Sequence, residues 1–206
     1  AALRSGRSAP APRGLSPPPR PPPAPPLDPA AMTDPTDTPT ATDPFATWPR
    51  PLAFVMSGGG AFGSVQVGML GALAERGGRP DMVVGTSAGA LHGAILASHP
   101  DDPFEVVSSL TELWARLDRR AVFGGRRQIA SNVIRSRSLS DGSRLAALID
   151  DGVAVELNDE LPVRFAAIGT DIMTGDPTLL ASGSLRSALL ASSAVPGLFP
   201  AVALGG

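Results

Sequence analysis

Two short apolar runs, each followed at once by a glycine-rich turn and a helical pattern, constrain the fold of this chain most. The first run is residues 52–56, and residues 57–63 after it read Ser-Gly-Gly-Gly-Ala-Phe-Gly. The second is residues 82–84, which lead directly into Gly85-Thr86-Ser87-Ala88-Gly89. Uninterrupted apolar runs of this length are typical of strands covered on both faces. Strand, helix, strand and helix in this order predict a parallel sheet with right-handed crossovers.

The rest of the chain extends the same alternation. The helix after the first turn is predicted over residues 63–76, where Val67, Leu70 and Leu73 recur at helical spacing before Gly77 and Gly78 end it. Further helices are predicted over residues 90–98, 104–117, 143–149 and 184–193, and further strands over residues 163–168 and 178–180. The predicted fold class is α/β, a three-layer α/β/α arrangement around a mainly parallel sheet.

Proline separates the chain into two parts. Of its 23 prolines, 16 lie between Pro10 and Pro51. Residues 1–50 are therefore predicted to be a disordered proline-rich segment and linker, and residues 51–206 a folded domain. The chain begins with Ala1, so Met32 as the natural start and a genuine proline-rich tail are equal alternatives.

Charge and composition exclude several classes. The formal net charge is −2, cysteine is absent, and all 17 basic residues are arginine. Disulfides, thiolate metal sites and a lysine nucleophile are thereby excluded from this chain. No apolar run is long enough to span a membrane, and the early arginines lead into proline and not into a signal-peptide core. The expected location is cytoplasmic or peripheral at a membrane, and no nucleic-acid partner is expected.

The sequence Gly85-x-Ser87-x-Gly89 matches the nucleophile elbow of serine hydrolases. In that turn the glycines leave room for a strained backbone that raises the serine hydroxyl above the sheet, here with Thr86 and Ala88 beside it. The five-residue pattern is weak alone because it arises by chance in glycine-rich chains. The strand before it and the helix after it are the required context. Ser87 is therefore the predicted nucleophile.

The earlier turn is suited to holding an anion. Glycines at a strand-to-helix turn expose backbone N–H groups beside the positive end of a helix. The predicted oxyanion hole comprises Gly58, Gly59, Gly60, Ala61 and Gly63, with the N–H groups of Gly59, Gly60 and Ala61 as donors. A simple tight turn is the plainer interpretation, although one or two glycines would suffice for it.

The same turn also fits a dinucleotide-binding fingerprint, Gly58-x-Gly60-x-x-Gly63. That site requires an acidic residue at the C-terminal end of the next strand to hold the ribose. Asp81 lies at the opposite end of the predicted strand, and Gly85 and Ser87 occupy the useful end. A non-catalytic dinucleotide-binding module is the minor alternative.

A histidine base is missing from the pattern. The α/β-hydrolases place their histidine well downstream of the serine and the acid. His92 and His99 follow Ser87 by only 92 − 87 = 5 and 99 − 87 = 12 residues, on or at the end of the same predicted helix. We expect His92 to be a packed helix residue and His99 a surface residue.

A glycine-rich turn, a serine elbow one crossover later and no usable histidine together resemble the patatin-like phospholipase family. Three later stretches agree with it in order: residues 167–171 (Ala-Ile-Gly-Thr-Asp), Thr174-Gly175, and residues 191–200 (Ala-Ser-Ser-Ala-Val-Pro-Gly-Leu-Phe-Pro). The resemblance covers about residues 52–203. It implies a serine–aspartate dyad that cleaves a lipid or other ester through an acyl-Ser87 intermediate, with no metal and no organic cofactor.

Two departures from the family pattern bear on activity. Phe62 stands where the family often has arginine or lysine, which weakens the case for phospholipids over neutral esters. The family's aspartate follows the Phe-Pro segment in an Asp-Gly-Gly or Asp-Gly-Ala motif, so the resemblance places it beyond residue 206. The chain alone is expected to be inactive. Asp171 and Asp176 are expected to be turn residues and not the base.

Residues 116–144 form an arginine-rich window. It contains the acids Asp118 and Asp141, the apolar tip Val122-Phe123-Gly124-Gly125, and eight arginines: Arg116, Arg119, Arg120, Arg126, Arg127, Arg135, Arg137 and Arg144. The window is interpreted either as a dock for an anionic membrane or as an ordinary solvated surface, and the second is favoured. The expected partners are a lipid or ester substrate and, on the first interpretation, an anionic membrane.

Overall fold

Four strands form one sheet in the order β1-β2-β3-β4. The structure is a computed structural model that describes residues 45, 47–117, 138–153 and 156–204. The strands are β1 (Ala53–Met56), β2 (Met82–Gly85), β3 (Arg164–Thr170) and β4 (Pro177–Leu180). β1, β2 and β3 run parallel, with Val55 opposite Val84 and Val84 opposite Ala166, whereas β4 is antiparallel to β3. The α/β class with a mainly parallel sheet is confirmed.

Within the described residues, five α-helices connect and follow the strands. They are α1 (Gly63–Glu75), α2 (Ala88–Ser98), α3 (Pro103–Arg116), α4 (Ser143–Gly152) and α5 (Leu185–Ser193), with 3₁₀ turns at Gly60–Phe62 and Asn158–Glu160. The predicted helices and strands agree with these bounds to within a few residues. Residues 1–44 and 46 of the predicted proline-rich segment, Met32 among them, and residues 118–137 of the arginine-rich window lie outside the described residues. The division at residue 50 stays a prediction.

Local signals explain where the helices begin. α3 starts with proline at its first position, and the Asp102 carboxylate accepts a hydrogen bond from Glu105 N–H at 3.0 Å. The Ser184 hydroxyl caps α5 in the same way by accepting from Ser187 N–H at 3.3 Å. Both are N-caps that satisfy amide groups left free by the first helical turn. None of the described helices is both long and apolar enough to cross a membrane.

The core lies on one face of the sheet. Met56, Val83, Phe165 and Ala167 point to this face, and side chains from all five helices join them in a single cluster. On the opposite face Val55 and Leu179 are 78% and 61% exposed. Of the three predicted layers, the described residues supply the sheet and one helical layer.

The parallel strands bring both glycine turns to one edge. β1 and β2 are neighbours, so residues 57–62 after β1 and Thr86–Ala88 after β2 both lie at the C-terminal edge of the sheet. Thr86 N–H donates to the carbonyl oxygen of Met56 at 3.0 Å and ties the two turns together. This edge is where ligands bind in parallel α/β sheets.

Candidate active site

Ser87 has an unusual backbone. Its φ is 53° and its ψ is −118°, and among the described residues it is the only non-glycine residue with positive φ. A side chain in this region is strained, and such strain is concentrated at functional sites. Ser87 is also the N-cap residue of α2, so its side chain lies at the positive end of that helix. The Ser87 hydroxyl makes no hydrogen bond to the described residues.

The two glycines of the elbow are needed for close approach. A Cβ atom at Gly85 would lie 2.5 Å from Ala90 Cα. A Cβ atom at Gly89 would lie 2.6 Å from both the carbonyl carbon of Met56 and the carbonyl oxygen of Ser57. These are backbone atoms, which cannot move aside as a flexible side chain can. The elbow therefore closes on itself and on the end of β1.

Ser192 supports the elbow from α5. Its hydroxyl oxygen accepts a hydrogen bond from Ser87 N–H at 2.8 Å and donates to the carbonyl oxygen of Ile168 at 2.7 Å. Ser192 is 8% exposed, and its hydroxyl joins two backbone groups that are 81 residues apart in sequence, 168 − 87 = 81. The role of Ser192 could not be predicted from the sequence, because 105 residues separate it from Ser87 and no spacing rule connects them.

The oxyanion turn, defined here as Gly58–Phe62, faces Ser87 and is open to solvent. A Cβ atom at Gly58 would lie 3.4 Å from Ser87 Cβ, in ordinary contact, and all five residues are exposed. Gly60 has a φ of +52°, which favours glycine. The N–H groups of Gly59, Gly60 and Ala61 have no acceptor among the described residues. They are free to bind an anion.

Gly63 has a different task from the rest of the predicted oxyanion hole. Its N–H donates to the carbonyl oxygens of Gly60 and Ala61, so it is already used within the turn. A Cβ atom here would lie 2.6 Å from Trp114 Cζ2 and 3.0 Å from Ala88 Cβ. We therefore assign Gly63 to the packing of α1 and not to the donors.

Neither histidine hydrogen-bonds Ser87. His92 is 0% exposed, and its ring contacts Gln66 and Trp114. Burial lowers the pKa of His92 to about 4, so the ring is neutral near pH 7. His99 is exposed, with its Nδ1 3.4 Å from the carbonyl oxygen of Ile95 in its own helix. The expected packed and surface positions are confirmed.

Asp171 and Asp176 lie in the turn between β3 and β4. The Asp171 carboxylate accepts from Met173 N–H at 2.7 Å and from Thr174 N–H at 3.3 Å. The backbone N–H of Asp171 donates to the carbonyl oxygen of Asp176 at 2.9 Å, and Gly175 between them has a φ of +80°. Both acids are turn residues, as predicted.

The Asp81 carboxylate is already hydrogen-bonded, and it lies far from both glycine turns. Its carboxylate accepts from Arg50 Nη1 at 2.9 Å and from Leu52 N–H at 2.6 Å, at the N-terminal edge of the sheet. These two hydrogen bonds, the Arg50 bond first, lower the pKa of Asp81. A ribose held at the oxyanion turn could not reach this carboxylate, which counts against a dinucleotide site. No group of three or more potential metal ligands occurs among the described residues.

The family model for patatin-like phospholipase matches residues 54–206, and the chain belongs to that family. It is similar to an uncharacterized NTE family protein of Mycobacterium bovis, 31% identical over 153 residues that cover 74% of this chain and 24% of that protein. It is also similar to a patatin-like phospholipase domain-containing protein of Caenorhabditis elegans, 31% identical over 72% of this chain and 11% of that protein.

Among solved structures, VipD from Legionella pneumophila is similar, with a TM-score of 0.49 and 17% identity. The match covers 73% of this chain and 43% of VipD. The chain thus spans about a quarter of the length of the mycobacterial relative and about a tenth of the nematode one.

Proposed function

We propose that residues 51–206 carry the nucleophile part of a serine hydrolase that cleaves lipid or other carboxylic esters, with Ser87 as nucleophile. The observation that carries this proposal is the meeting of a strained serine with an open glycine turn. Ser87 has a φ of 53°, and the unclaimed N–H groups of Gly59, Gly60 and Ala61 belong to a turn in contact with it. The family match supports lipid acyl hydrolysis as the class of reaction.

In the proposed reaction Ser87 Oγ attacks the ester carbonyl carbon, and the carbonyl oxygen becomes an oxyanion. The N–H groups of Gly59, Gly60 and Ala61 stabilise this oxyanion, because none of them has an acceptor among the described residues. Collapse of the tetrahedral intermediate breaks the bond to the alcohol and leaves acyl-Ser87. Water then attacks the acyl group and releases the acid.

The protons in this scheme need a base that the described residues do not supply. The rings of both histidines and the carboxylate of Asp171 are hydrogen-bonded elsewhere, and Asp176 lies in the β3–β4 turn. The family resemblance supplies an aspartate beyond residue 206. It would take the proton of Ser87, deliver it to the leaving alcohol and later activate the water. No metal or organic cofactor enters the scheme.

The choice between a phospholipid and a neutral ester depends on the oxyanion turn. Phe62 is 80% exposed at its end, and the turn itself contains no cation to hold a phosphate. Peripheral contact with an anionic membrane rests on the arginine-rich window. Liposome co-sedimentation tests it: binding should require anionic lipid and weaken with salt and with Arg126→Ser/Arg127→Ser.

Esterase kinetics of the full-length protein test the proposed nucleophile. With a soluble chromogenic ester such as p-nitrophenyl butyrate, Ser87→Ala should lower kcat by about 10⁴-fold or more. A fluorophosphonate probe should label Ser87 in the wild type and nothing in the variant. Ser193→Ala, which removes a neighbouring hydroxyl without a hydrogen-bond role in the site, should retain activity.

Three outcomes would change the assignment. Full activity of Ser87→Ala would remove Ser87 as nucleophile. Stabilisation of the protein by NAD(P) without probe labelling would favour the dinucleotide-binding alternative. Robust turnover by residues 1–206 alone would show that a group within this chain acts as base, and Asp171→Asn would then be the next variant.

A further inference from the structure

Three side chains from three helices form a continuous hydrogen-bonded chain. Trp114 Nε1 on α3 lies 2.9 Å from His92 Nε2 on α2. His92 Nδ1 lies 3.0 Å from Gln66 Oε1 on α1. Gln66 Nε2 lies 2.6 Å from the carbonyl oxygen of Ser57 and 3.4 Å from its hydroxyl. The hydrogen-bonded chain thus ends on Ser57, the residue that precedes the oxyanion turn.

The chemistry of the first member sets the direction of every bond. The indole nitrogen of Trp114 can only donate, so His92 Nε2 must accept. A neutral imidazole that accepts at Nε2 carries its proton at Nδ1, and His92 therefore donates to Gln66 Oε1. The Gln66 amide oxygen is then occupied, which leaves its NH₂ group to donate to the Ser57 carbonyl oxygen. No member can reverse without breaking a bond.

The last acceptor controls the orientation of the peptide unit that leads into the oxyanion turn. The carbonyl of Ser57 and the N–H of Gly58 belong to one planar trans peptide unit, so they point in opposite directions. Holding the carbonyl oxygen against Gln66 consequently fixes the direction of the Gly58 N–H, and with it the start of the turn whose next three residues carry the proposed donors. The same carbonyl oxygen touches Gly89 of the elbow, because a Cβ there would lie 2.6 Å from it. The chain therefore ends where the two halves of the candidate site meet.

Packing buries His92 and keeps its ring neutral, whereas the Gln66–Ser57 end of the hydrogen-bonded chain is exposed. His92 is 0% exposed, and its ring meets that of Trp114 edge to face at 5.7 Å between centroids. Gly63 permits this packing, since a Cβ atom there would lie 3.2 Å from His92 Cε1. The low pKa of His92 comes from burial alone, with no charged group contributing among the described residues. Glu112 and Arg116 of α3 pair with each other.

We infer that Gln66 is a positioning residue for the oxyanion turn, oriented through His92 by Trp114. The inference rests on the proposed function, because it concerns how that reaction's oxyanion donors are aligned. A part-buried cluster that only joins three helices is the competing explanation. The two differ in what they predict for transition-state stabilisation: alignment affects kcat, whereas loss of packing affects stability and leaves the folded site intact.

The test measures ester hydrolysis by the full-length protein with p-nitrophenyl butyrate. Gln66→Leu should lower kcat by about 10- to 100-fold, the range expected for a misplaced catalytic group, with KM within about twofold. The Ki of a trifluoromethyl ketone, whose adduct with serine carries an oxyanion, should rise by a similar factor. Gln66→Glu retains the acceptor for His92 and loses the donor to Ser57, so it should show the same loss even if the leucine variant folds poorly.

Controls separate alignment from stability. Val106→Ala removes core volume from α3 but replaces no member of the hydrogen-bonded chain. It should lower the melting temperature at unchanged kcat. Thr111→Ala removes a hydroxyl that bonds only within α3 and should change neither quantity. Trp114→Phe removes the donor farthest from the turn, so its kcat should fall less than that of either Gln66 variant.

Two results would overturn the inference. One is kcat and ketone Ki within twofold of wild type in both Gln66 variants, while Ser87→Ala is inactive. The other does not depend on activity. The ¹⁵N chemical shifts of the His92 ring should show the proton at Nδ1, and a proton at Nε2 would contradict the hydrogen-bond directions derived above. If Ser87→Ala remained active, the proposed function would fail instead, and the ring shifts would still report on the chain.

Discussion

The elbow and the oxyanion turn are both glycine-rich, both follow a strand and both lie at the same sheet edge, yet they need glycine for opposite reasons. At the elbow there is no room: a side chain at Gly89 would meet the backbone of Met56 and Ser57. At Gly60 of the oxyanion turn a Cβ atom would meet nothing within 4 Å, and the φ of +52° is what favours glycine. Glycine thus allows close backbone packing at the elbow, and in the oxyanion turn it allows a positive φ that leaves N–H groups exposed.

Their supports differ as well. The elbow is held at Ser87 N–H by the Ser192 hydroxyl, a single bridge from α5 that also bonds Ile168. The oxyanion turn is held at the Ser57 carbonyl by a three-member chain from α1, α2 and α3. A change at the elbow should therefore reduce the stability of the fold, and a change at the turn should mainly reduce catalysis.

The largest expected effect is a loss of stability at the elbow. Gly89→Ala forces a methyl group against backbone atoms and should lower the free energy of unfolding by about 3 kcal/mol or more. Gly68→Ala is the matched control, since nothing lies within 4 Å of its Cβ position in α1, and it should stabilise by about 0.5–1 kcal/mol. Urea unfolding followed by circular dichroism measures both. Equal stability of the two variants would contradict the claim that the elbow needs glycine for steric reasons.

The second effect is a pH dependence of the free energy of unfolding, caused by His92 in the hydrogen-bonded chain that holds the oxyanion turn. The unfolded state binds a proton at His92 with a pKa near 6.5, whereas the folded state binds it only near a pKa of about 4. Stability is therefore complete above pH 6.5 and is lost as the pH falls toward 4, by on the order of 3 kcal/mol.

Unfolding measured at several pH values isolates this contribution. His92→Asn should lose less stability than the wild type between pH 6.5 and 4, because it has no ring to protonate. Parallel curves for the two proteins would contradict the neutral buried ring on which the hydrogen-bonded chain depends.

A smaller effect is expected from the bridge to the elbow. Ser192→Ala leaves Ser87 N–H and the Ile168 carbonyl without their partner and should cost about 1–3 kcal/mol in unfolding free energy. Ser193→Ala on the same helix should cost little. Proton exchange of the Ser87 amide should accelerate in the first variant only, and unchanged exchange there would show that the bridge does not protect the elbow.

The smallest effect on stability is expected in the oxyanion turn. Gly60→Ala places a side chain at a φ of +52° without a clash, which should cost about 1 kcal/mol. The comparison predicts a disproportionate loss of esterase kcat in this variant of the full-length protein. Undiminished kcat together with a large loss of stability would mean that the two regions do not divide their tasks in this way.

The sequence predicted the sheet, the helices and the two turns well because each has a local cause. Each signal lies within a short window: apolar runs of three and five residues, helical spacing in α3, and glycines after β1 and β2. The β3–β4 turn was equally local, since the Asp171 carboxylate bonds N–H groups only two and three residues away. His92 was predicted to be packed, but its two ring partners were not.

The order of elements, the family and the position of Ser87 between a strand and a helix were thus determined by the sequence alone, because they depend on neighbours along the chain. Only the tertiary structure decided that Ser192 meets Ser87 across 105 residues, and that Trp114, His92 and Gln66 align on Ser57. These contacts join helices that are distant in sequence. Their geometry is set by how α1, α2, α3 and α5 pack on one face of the sheet, and no local pattern encodes it.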